Sequence, residues 1–396
     1  MVMKKMNKLK LAVVGATGFV GRRFCQHLID NDYHHRFDLT FTARSSQKFK
    51  QFFPTENAQK YKFVELNNND RQEVEETISK MNVVCNFAGP FAKYAPNIVE
   101  SCAKNGVHYL DITGEINFAK SMIENFQEDA IQNGSCLVPF AGFDSVPSDL
   151  AVFVAKKYVN DQLNEKLKSV HVIYQAKGGI NGGTIASAIN IGKNLTAEDI
   201  KNLHYLCPNE RPYFSPEEII RLKPNTNIHV APFFMEEINN KIVFRTKSLN
   251  HHQGYSQNFD YQESLLISKH FSHLTSMTYQ YFMQGFDYLF KNSNHLNPLK
   301  LILPKPGQGP SEKLIKNGFF KADIFATSET GKQKKFQLTG QGDPGNQCTV
   351  NFVLLCLECL IENKNLPVGF NTPTTAFGDL ISEKLERFGF NLKEYP

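Results

Sequence analysis

Short apolar runs and amphipathic stretches alternate through the first part of the chain. Residues 9–14 form a β-branched, apolar run, as expected for a strand buried on both faces of a parallel sheet. From residue 19 to 29 the apolar positions recur at helical spacing. Strand signals follow at 38–43, 62–66, 82–87, 107–111 and 135–140, with helical patterns at 71–81, 97–105 and 115–132. Alternation of this kind over residues 9–140 predicts an α/β fold, doubly wound around a parallel sheet. Beyond residue 150 the pattern changes. A helix at 151–159 and a strand at 169–176 lead to paired glycines and a helix at 184–191, and 205–226 reads as irregular. Strand signals return at 228–234, 319–326 and 335–340, separated by long connections, which fits an α+β insert. Residues 304–310 form a Pro/Gly cluster, expected as a loop over a site. Residues 342–345 read as a turn and 346–362 as a strongly apolar helix. Thr372 with Pro373 starts a last helical stretch that Gly389 closes.

Between the first strand and first helix stands Gly15-x-x-Gly18-x-x-Gly21. The first glycine permits the tight turn, the second lets a diphosphate approach the backbone, and the third lets the helix pack on the strand. The helix start adds free N–H groups and positive dipole. Gly15, Thr17, Gly18, Phe19, Val20 and Gly21 are therefore the expected diphosphate contacts. The spacing departs from Gly-x-Gly-x-x-Gly, so its position between strand and helix carries the argument. The second strand ends in Arg44-Ser45-Ser46 rather than an acid. An arginine with hydroxyls suits a ribose 2′-phosphate, which favours NADP(H) over NAD(H), with Arg44 and Ser45 as contacts; a solvated arginine on a surface turn is the alternative. Ala88, Gly89, Pro90 and Phe91 follow the 82–87 strand, where a dinucleotide would run toward its nicotinamide. The chain thus divides into a Rossmann domain (1–150), an inserted α+β substrate or oligomerisation domain (151–341) and C-terminal helices (342–396).

From residue 86 onward the sequence resembles the saccharopine dehydrogenase-like oxidoreductases, and within them the trans-acting enoyl reductase branch. The likeness lies in Asn86-Phe-Ala-Gly-Pro-Phe-Ala-Lys-Tyr94, Tyr109-Leu-Asp-Ile-Thr-Gly-Glu115, Gly142-Phe-Asp-Ser-Val-Pro-Ser-Asp149 and Gly182-Gly-Thr-Ile-Ala-Ser187. It continues in Pro304-Lys-Pro-Gly-Gln-Gly-Pro-Ser311, Gly342-Asp-Pro-Gly345 and Thr372-Pro-Thr-Thr-Ala-Phe-Gly378, and so spans nearly the whole chain in order. Ala95 stands where the pattern would have glycine, which leaves that loop less freedom. The resemblance implies the same three-part architecture with the C-terminal helices packing back on the Rossmann domain, a nicotinamide cofactor with NADPH preferred, and substrates ranging from amino-acid conjugates to enoyl groups on lipid precursors.

Hydride transfer asks the protein for positioning and for a proton donor or charge-stabilising group near the acceptor. Tyr94, Asp111, Glu115 and Asp144 follow successive strands at the ligand-binding face and are the candidates. For the carboxylates, helix capping and turn formation are the competing roles, and for Tyr94 a place as a rim or core aromatic. No metal site is expected. His251-His252, His270 and His273 lack partners at metal spacing, and Cys356-x-x-Cys359 sits inside an apolar helix as core. The aromatic-rich stretch 275–290 reads as a core helix or as an apolar face for lipid, membrane or a subunit partner.

Lys and Arg total 44 against 39 Asp and Glu, and the net +5 is dispersed, so nucleic acid is not an expected partner. Eight cysteines in apolar surroundings suit a reducing compartment and a cytoplasmic location. No run reaches the 18 or so apolar residues of a membrane-spanning helix, and the basic, apolar N-terminus breaks too early at Gly15 to read as a signal peptide. Peripheral contact with a membrane or lipid and a homodimer are both compatible with this composition. The leading expectation is an NAD(P)H-dependent reductase of an enoyl or carbonyl group on a hydrophobic small molecule. The alternatives are a non-catalytic dinucleotide-binding scaffold or redox sensor associated with lipid, and an amino-acid-conjugate dehydrogenase.

Overall fold

Seven parallel strands make the first sheet, in the order β12-β6-β5-β4-β1-β2-β3. They are β1 (Leu9–Val14), β2 (Phe37–Ala43), β3 (Lys62–Glu65), β4 (Val83–Asn86), β5 (His108–Asp111), β6 (Cys136–Val138) and, from late in the chain, β12 (Gly369–Phe370). The computed structural model describes residues 8–53, 59–214, 229–268, 304–305 and 307–396. Helices α1 (Phe19–Asp30), α2 (Ser46–Phe52), α3 (Arg71–Ile78), α4 (Phe91–Tyr94), α5 (Pro96–Lys104) and α6 (Ile116–Asn133) connect the strands. Alternation along β1 shows why the run is apolar throughout. Leu11 and Val13 enter one core and Ala12 and Val14 the other, on opposite faces of the sheet. Val13 is in register with Phe41 on one side and Cys85 on the other, so β1 sits in the middle of the sheet.

A second, mixed sheet of six strands follows the order β13-β11-β10-β7-β9-β8. Its members are β7 (Leu167–Lys177), β8 (His229–Pro232), β9 (Tyr255–Ser268), β10 (Phe319–Ser328), β11 (Gln333–Gln341) and β13 (Phe390–Tyr395). Helix α7 (Val146–Leu163) carries the chain from the first sheet to the second; α8 (Gly182–Asn194), α9 (Ala197–Lys201) and α10 (Glu236–Leu249) follow. Three features differ from the sequence expectation. The helix expected at 151–159 starts earlier, at Val146 with Pro147 in its first turn. The C-terminal return is more than helical, because β12 joins the first sheet and β13 the second. Strand β9 and helix α10 lie where no element was expected.

Both unexpected elements bury polar residues where apolar ones would have signalled them. Strand β9 turns Tyr255, Phe259 and Tyr261 inward, but also Glu263 at 1% exposure. Helix α10 buries Asn239, Lys241, Arg245, Thr246 and Lys247. Most of these groups are paired: the Arg245 guanidinium donates to the Leu206 and Phe370 carbonyls at 2.6 and 2.7 Å, while the Asn239 side-chain oxygen is left without a partner among the described residues. The Asn239 amide donates to Glu263 at 3.0 Å, and the Tyr261 hydroxyl donates to the same carboxyl at 2.5 Å. Paired in this way, buried polar groups escape the cost of desolvation without a partner.

Helix Thr349–Glu362 is the apolar helix expected at 346–362, and a turn at Pro344–Cys348 leads into it. The stretch Pro344–Glu362 is long and apolar enough to span a membrane, but 78% of it is buried in the core. Glu358, its lone internal charge, is fully buried and meets Arg36 at 2.5 Å. Cys356 and Cys359 are buried free thiols. His252 pairs with Glu210 at 3.1 Å as an ordinary surface contact. The expected helix at 275–290, His270 and His273 lie outside the described residues.

Candidate active site

The glycine turn closes on the loop after β4. Gly15 has φ +82°, and a Cβ there would stand 2.9 Å from the Ala88 nitrogen. The Gly15 and Ala16 amides donate to the Thr42 carbonyl at 3.1 and 3.0 Å, and Gly18 donates to the Gly15 carbonyl at 2.9 Å. A Cβ on Gly21 would lie 2.4 Å from the Gly15 oxygen, so the helix can pack this close only with glycine. Gly18 is the N-cap of α1 and offers no side chain, and the first turn contains no acid. The amides at the start of this 12-residue helix are thus left for an anion, as a dinucleotide diphosphate requires. Phe19 and Val20 are buried, so they offer backbone there rather than side chains, while Thr17 is half-buried. The residues fit the group.

The Pro/Gly cluster lies over this turn, as expected. Added carbons would bring Gly309 within 2.6 Å of the Phe19 ring and Gly307 within 4.0 Å of the Thr17 carbonyl. The Gly182 amide donates to the Gln308 carbonyl at 3.0 Å, joining this loop to α8. A buried knot fixes the far side. Asp343 accepts from the Gly179 amide at 2.6 Å and from the Asn346 side chain at 2.8 Å. Asn181 donates to Asn346 at 2.9 Å. The Gly342-Asp-Pro-Gly345 turn therefore positions the entry to α8.

At the end of β2, Arg44 is exposed, and its guanidinium carbon lies 4.8 Å from the centre of the Tyr94 ring. Ser45 caps α2 by accepting from the Lys48 amide at 3.2 Å. Arg44, Leu66, Asn67 and Glu73 line a cleft of about 600 Å³ beyond β2 and β3. In a sheet of this order the adenosine half of a dinucleotide lies on the β1–β2–β3 side and the nicotinamide toward β4–β5–β6. Tyr94 was expected as a proton donor near the acceptor. Its ring lies beside Arg44, at the end of β2. Burial pushes its phenol up, but the neighbouring Lys93 and Arg44 outweigh this and hold it below its ordinary value.

Asp111 and Glu115 also lie elsewhere than expected for groups that touch substrate. Asp111 is 1% exposed, accepts from the Thr113 and Phe140 amides at 2.9 and 3.2 Å, and takes the Tyr109 hydroxyl at 2.8 Å. Burial raises it to about 7 against the pull of those donors. Glu115 is fully buried and accepts from the Phe91 and Ala92 amides at 2.8 and 3.1 Å and from the Ser187 hydroxyl at 2.7 Å. It clamps the Gly89–Pro90 turn, whose peptide bond is cis, to α8. These carboxylates hold the loops in place. The Ala88 amide is satisfied within its own turn, by the Asn86 side chain at 2.9 Å.

Asp144 differs from both. It follows β6, is half-buried, and accepts no hydrogen bond from the described residues. Burial raises it to about 6. An apolar wall follows β8: Phe233 stacks on Tyr174 at 4.4 Å, Phe234 is 54% exposed, and the Met235 methyl lies 3.5 Å from where a Gly114 Cβ would be. Ser187, Lys93 and this wall were missed as site residues. Ser187 closes the Gly182 to Ser187 motif and was open to detection, whereas the wall depends on where β8 falls.

Glu263 offers a check on the electrostatics. Burial raises it to about 7, so the folded chain holds this proton more tightly than the unfolded chain does. Its contribution is fully present below about pH 4 and is lost as pH rises through about 7. Glu263→Gln, which stays neutral, is therefore expected to gain thermal stability relative to the wild type between about pH 5 and about pH 8. Melting both proteins across that range tests it, and a difference in midpoint that ignores pH would contradict it.

Residues 11–138 match the saccharopine dehydrogenase NADP binding domain. A Mycobacterium tuberculosis protein provisionally named a trans-acting enoyl reductase is 27% identical over 407 aligned residues, covering 97% of this chain and 96% of its own. The trans-acting enoyl reductase of Mycobacterium ulcerans is 24% identical over 408 residues, 96% of each chain. The apo saccharopine dehydrogenase (L-Glu forming) of Saccharomyces cerevisiae shares the fold, with a TM-score of 0.55 over 98% of this chain and 100% of its own at 12% identity. The family match falls on the glycine turn, the Arg44 strand end and the β4 to β6 segment, so this part of the chain is similar to the NADP-binding domain of saccharopine dehydrogenases.

Proposed function

We propose that the chain is an NADP(H)-dependent reductase of an enoyl or carbonyl group on a hydrophobic substrate. The uncapped start of α1 behind the glycine turn carries this reading, because it leaves backbone donors where a diphosphate would lie. Gly15, Thr17, Gly18 and the Phe19 and Val20 amides would hold the diphosphate, Arg44 and Ser45 the ribose phosphate, and the Ala88 to Phe91 loop the path to the nicotinamide. Hydride is the chemistry that group supplies when bound. The chain adds a proton. Asp144, with its carboxyl raised to about 6, holds one at the β6 end and donates it to the acceptor atom next to the carbon that takes hydride. Phe234, exposed above the buried Phe233 and Met235, supplies an apolar surface that would exclude water and favour an acyl chain.

Calorimetric titration with NADPH and NADH, followed by assays of NADPH oxidation with enoyl thioesters of short and long chain, tests the reading. NADPH is expected to bind about tenfold or more tighter than NADH, through the charged contacts of Arg44, and turnover to rise with chain length. Binding of neither dinucleotide would end the proposal. Binding without turnover on any acceptor would favour a scaffold, and turnover confined to amino-acid conjugates would move the substrate class.

A further inference from the structure

The edge of the first sheet opposite the glycine turn carries a charge pattern that chain order hides. Lys8, Lys10, Lys60, Lys62 and Lys80 are dispersed in the sequence, yet all five line one cleft of about 890 Å³. Each lies in or just before β1, β3 or β4, and the strand order β4-β1-β2-β3 gathers them where these strands begin. Asn82 accepts from the Lys10 amide at 2.8 Å and donates to the Lys10 carbonyl at 2.9 Å, which sets the Lys80 turn beside β1. Among the described residues, Asp38 is the one acid in the lining. Lys62 pairs with it and Lys60 with the neighbouring Asp32, both at 2.9 Å, and the Lys8 ammonium donates to the His34 carbonyl at 2.6 Å. Lys10 and Lys80 are exposed and have no acid partner among the described residues. Exposed ion pairs are weak and exchange readily for a better-placed carboxylate. Five lysines against two acids leave the cleft positive in any case.

Place and chemistry narrow the occupant. Strand β1 is six residues long, so the cleft lies about 20 Å from the glycine turn at its other end and is separate from the dinucleotide site. No arginine lines it, so the planar fork that pairs bidentately with phosphate is missing. No α-helix among the described residues starts there either; α1 ends at this edge with Asp30 and α3 with Ile78, so the free amides that usually hold phosphate are lacking. The lysines spread across four neighbouring strands, a width of about 14 Å at ordinary strand spacing and more than one phosphate can bridge. Carboxylates on alternate residues of an extended peptide, about 7 Å apart, match that width. Leu9, 40% exposed, and the half-buried Tyr61 add apolar surface to the same lining. A flat membrane would reach only the rim of this concave surface.

We propose that the cleft docks an acidic, extended segment of a partner protein, with its carboxylates on Lys10 and Lys80 and its apolar side chains on Leu9 and Tyr61. A partner held there leaves the dinucleotide site open at the far edge of the sheet, so the contact tethers without competing with cofactor.

Fluorescence anisotropy on the full chain tests this with a labelled peptide of about eight residues, Glu at alternate positions and Leu or Ser between them. The peptide is expected to bind saturably at low salt and to weaken about tenfold as salt screens the lysines. Lys10→Gln combined with Lys80→Gln should weaken it about tenfold, the joint loss of two exposed ion pairs. Asp38→Asn removes the competing acid and should tighten binding about two- to threefold. Thermal melting should be unchanged in both variants, whose altered side chains are on the surface. No saturable binding of the peptide, or equal binding to the double variant, would overturn the proposal. So would tighter binding of inorganic tripolyphosphate, or binding confined to phosphatidylserine vesicles, which would assign the cleft to phosphate or to membrane.

Discussion

Replacing Asp144 with Asn is expected to lower kcat by about 10²- to 10⁴-fold, the usual cost of losing a general acid. The Kd for NADPH should move by less than about twofold, because Asp144 follows β6 while the diphosphate cradle lies between β1 and α1. The two carboxyls expected beside it cannot substitute. Asp111 and Glu115 are enclosed, with protein donors on both of their oxygens, whereas Asp144 is half-buried and takes no donor from the described residues. The pH profile carries the same signature. With Asp144 raised to about 6, kcat of the wild type should fall as pH rises through that value, and the residual rate of the variant should be flat there. Steady-state kinetics over the pH range measures both, and an unchanged kcat in Asp144→Asn would remove the acid from the mechanism.

Gly21→Ala is the second large effect. A methyl at this position would meet the Gly15 carbonyl oxygen at 2.4 Å and the Phe87 Cβ at 3.1 Å. Neither neighbour can swing aside, since one is backbone and the other is held in the core. The start of α1 must shift away from the turn, and the aligned amides with it. Calorimetry should show NADPH binding weakened by about 100-fold or more, equivalent to about 3 kcal/mol. Gly134→Asn is the control. Gly134 also has positive φ, at +77°, but a Cβ there meets nothing within 4 Å and the site is remote, so NADPH should bind as to the wild type. NADPH affinity preserved in Gly21→Ala would show that the diphosphate does not lie against this turn.

The inner strands of the first sheet were legible because they are buried on both faces and so read as continuous apolar runs, as Leu11 to Val14 do. The second sheet was less so, for a physical reason. Its strand β9 places Glu263 in an inward slot, and α10 packs Lys241 and Arg245 inward, so apolar periodicity fails although burial does not. Strand β13 lies on an edge and shows Lys393 and Glu394 to solvent, a composition that hides a strand and protects it. Around the candidate site, the glycine turn, the Arg44 strand end and the Pro/Gly loop were legible as structure because each is a local feature of one connection. The sequence misjudged Tyr94, Asp111 and Glu115 because their roles depend on contacts with distant residues: Arg44 for Tyr94, Phe140 for Asp111 and Ser187 for Glu115. Spacing along the chain says which face a residue reaches, not which partner is waiting there.

The last stretch of the chain supplies an edge strand to each sheet, Gly369–Phe370 to the first and Phe390–Tyr395 to the second. A nascent polypeptide leaving the ribosome N-terminus first would therefore carry two unfinished sheet borders until residues 369–395 have emerged. Exposed borders recruit other chains, so the exposure to aggregation is set by how long translation takes to deliver those closing strands. Ending the gene after residue 341 would make that unfinished condition permanent for both sheets.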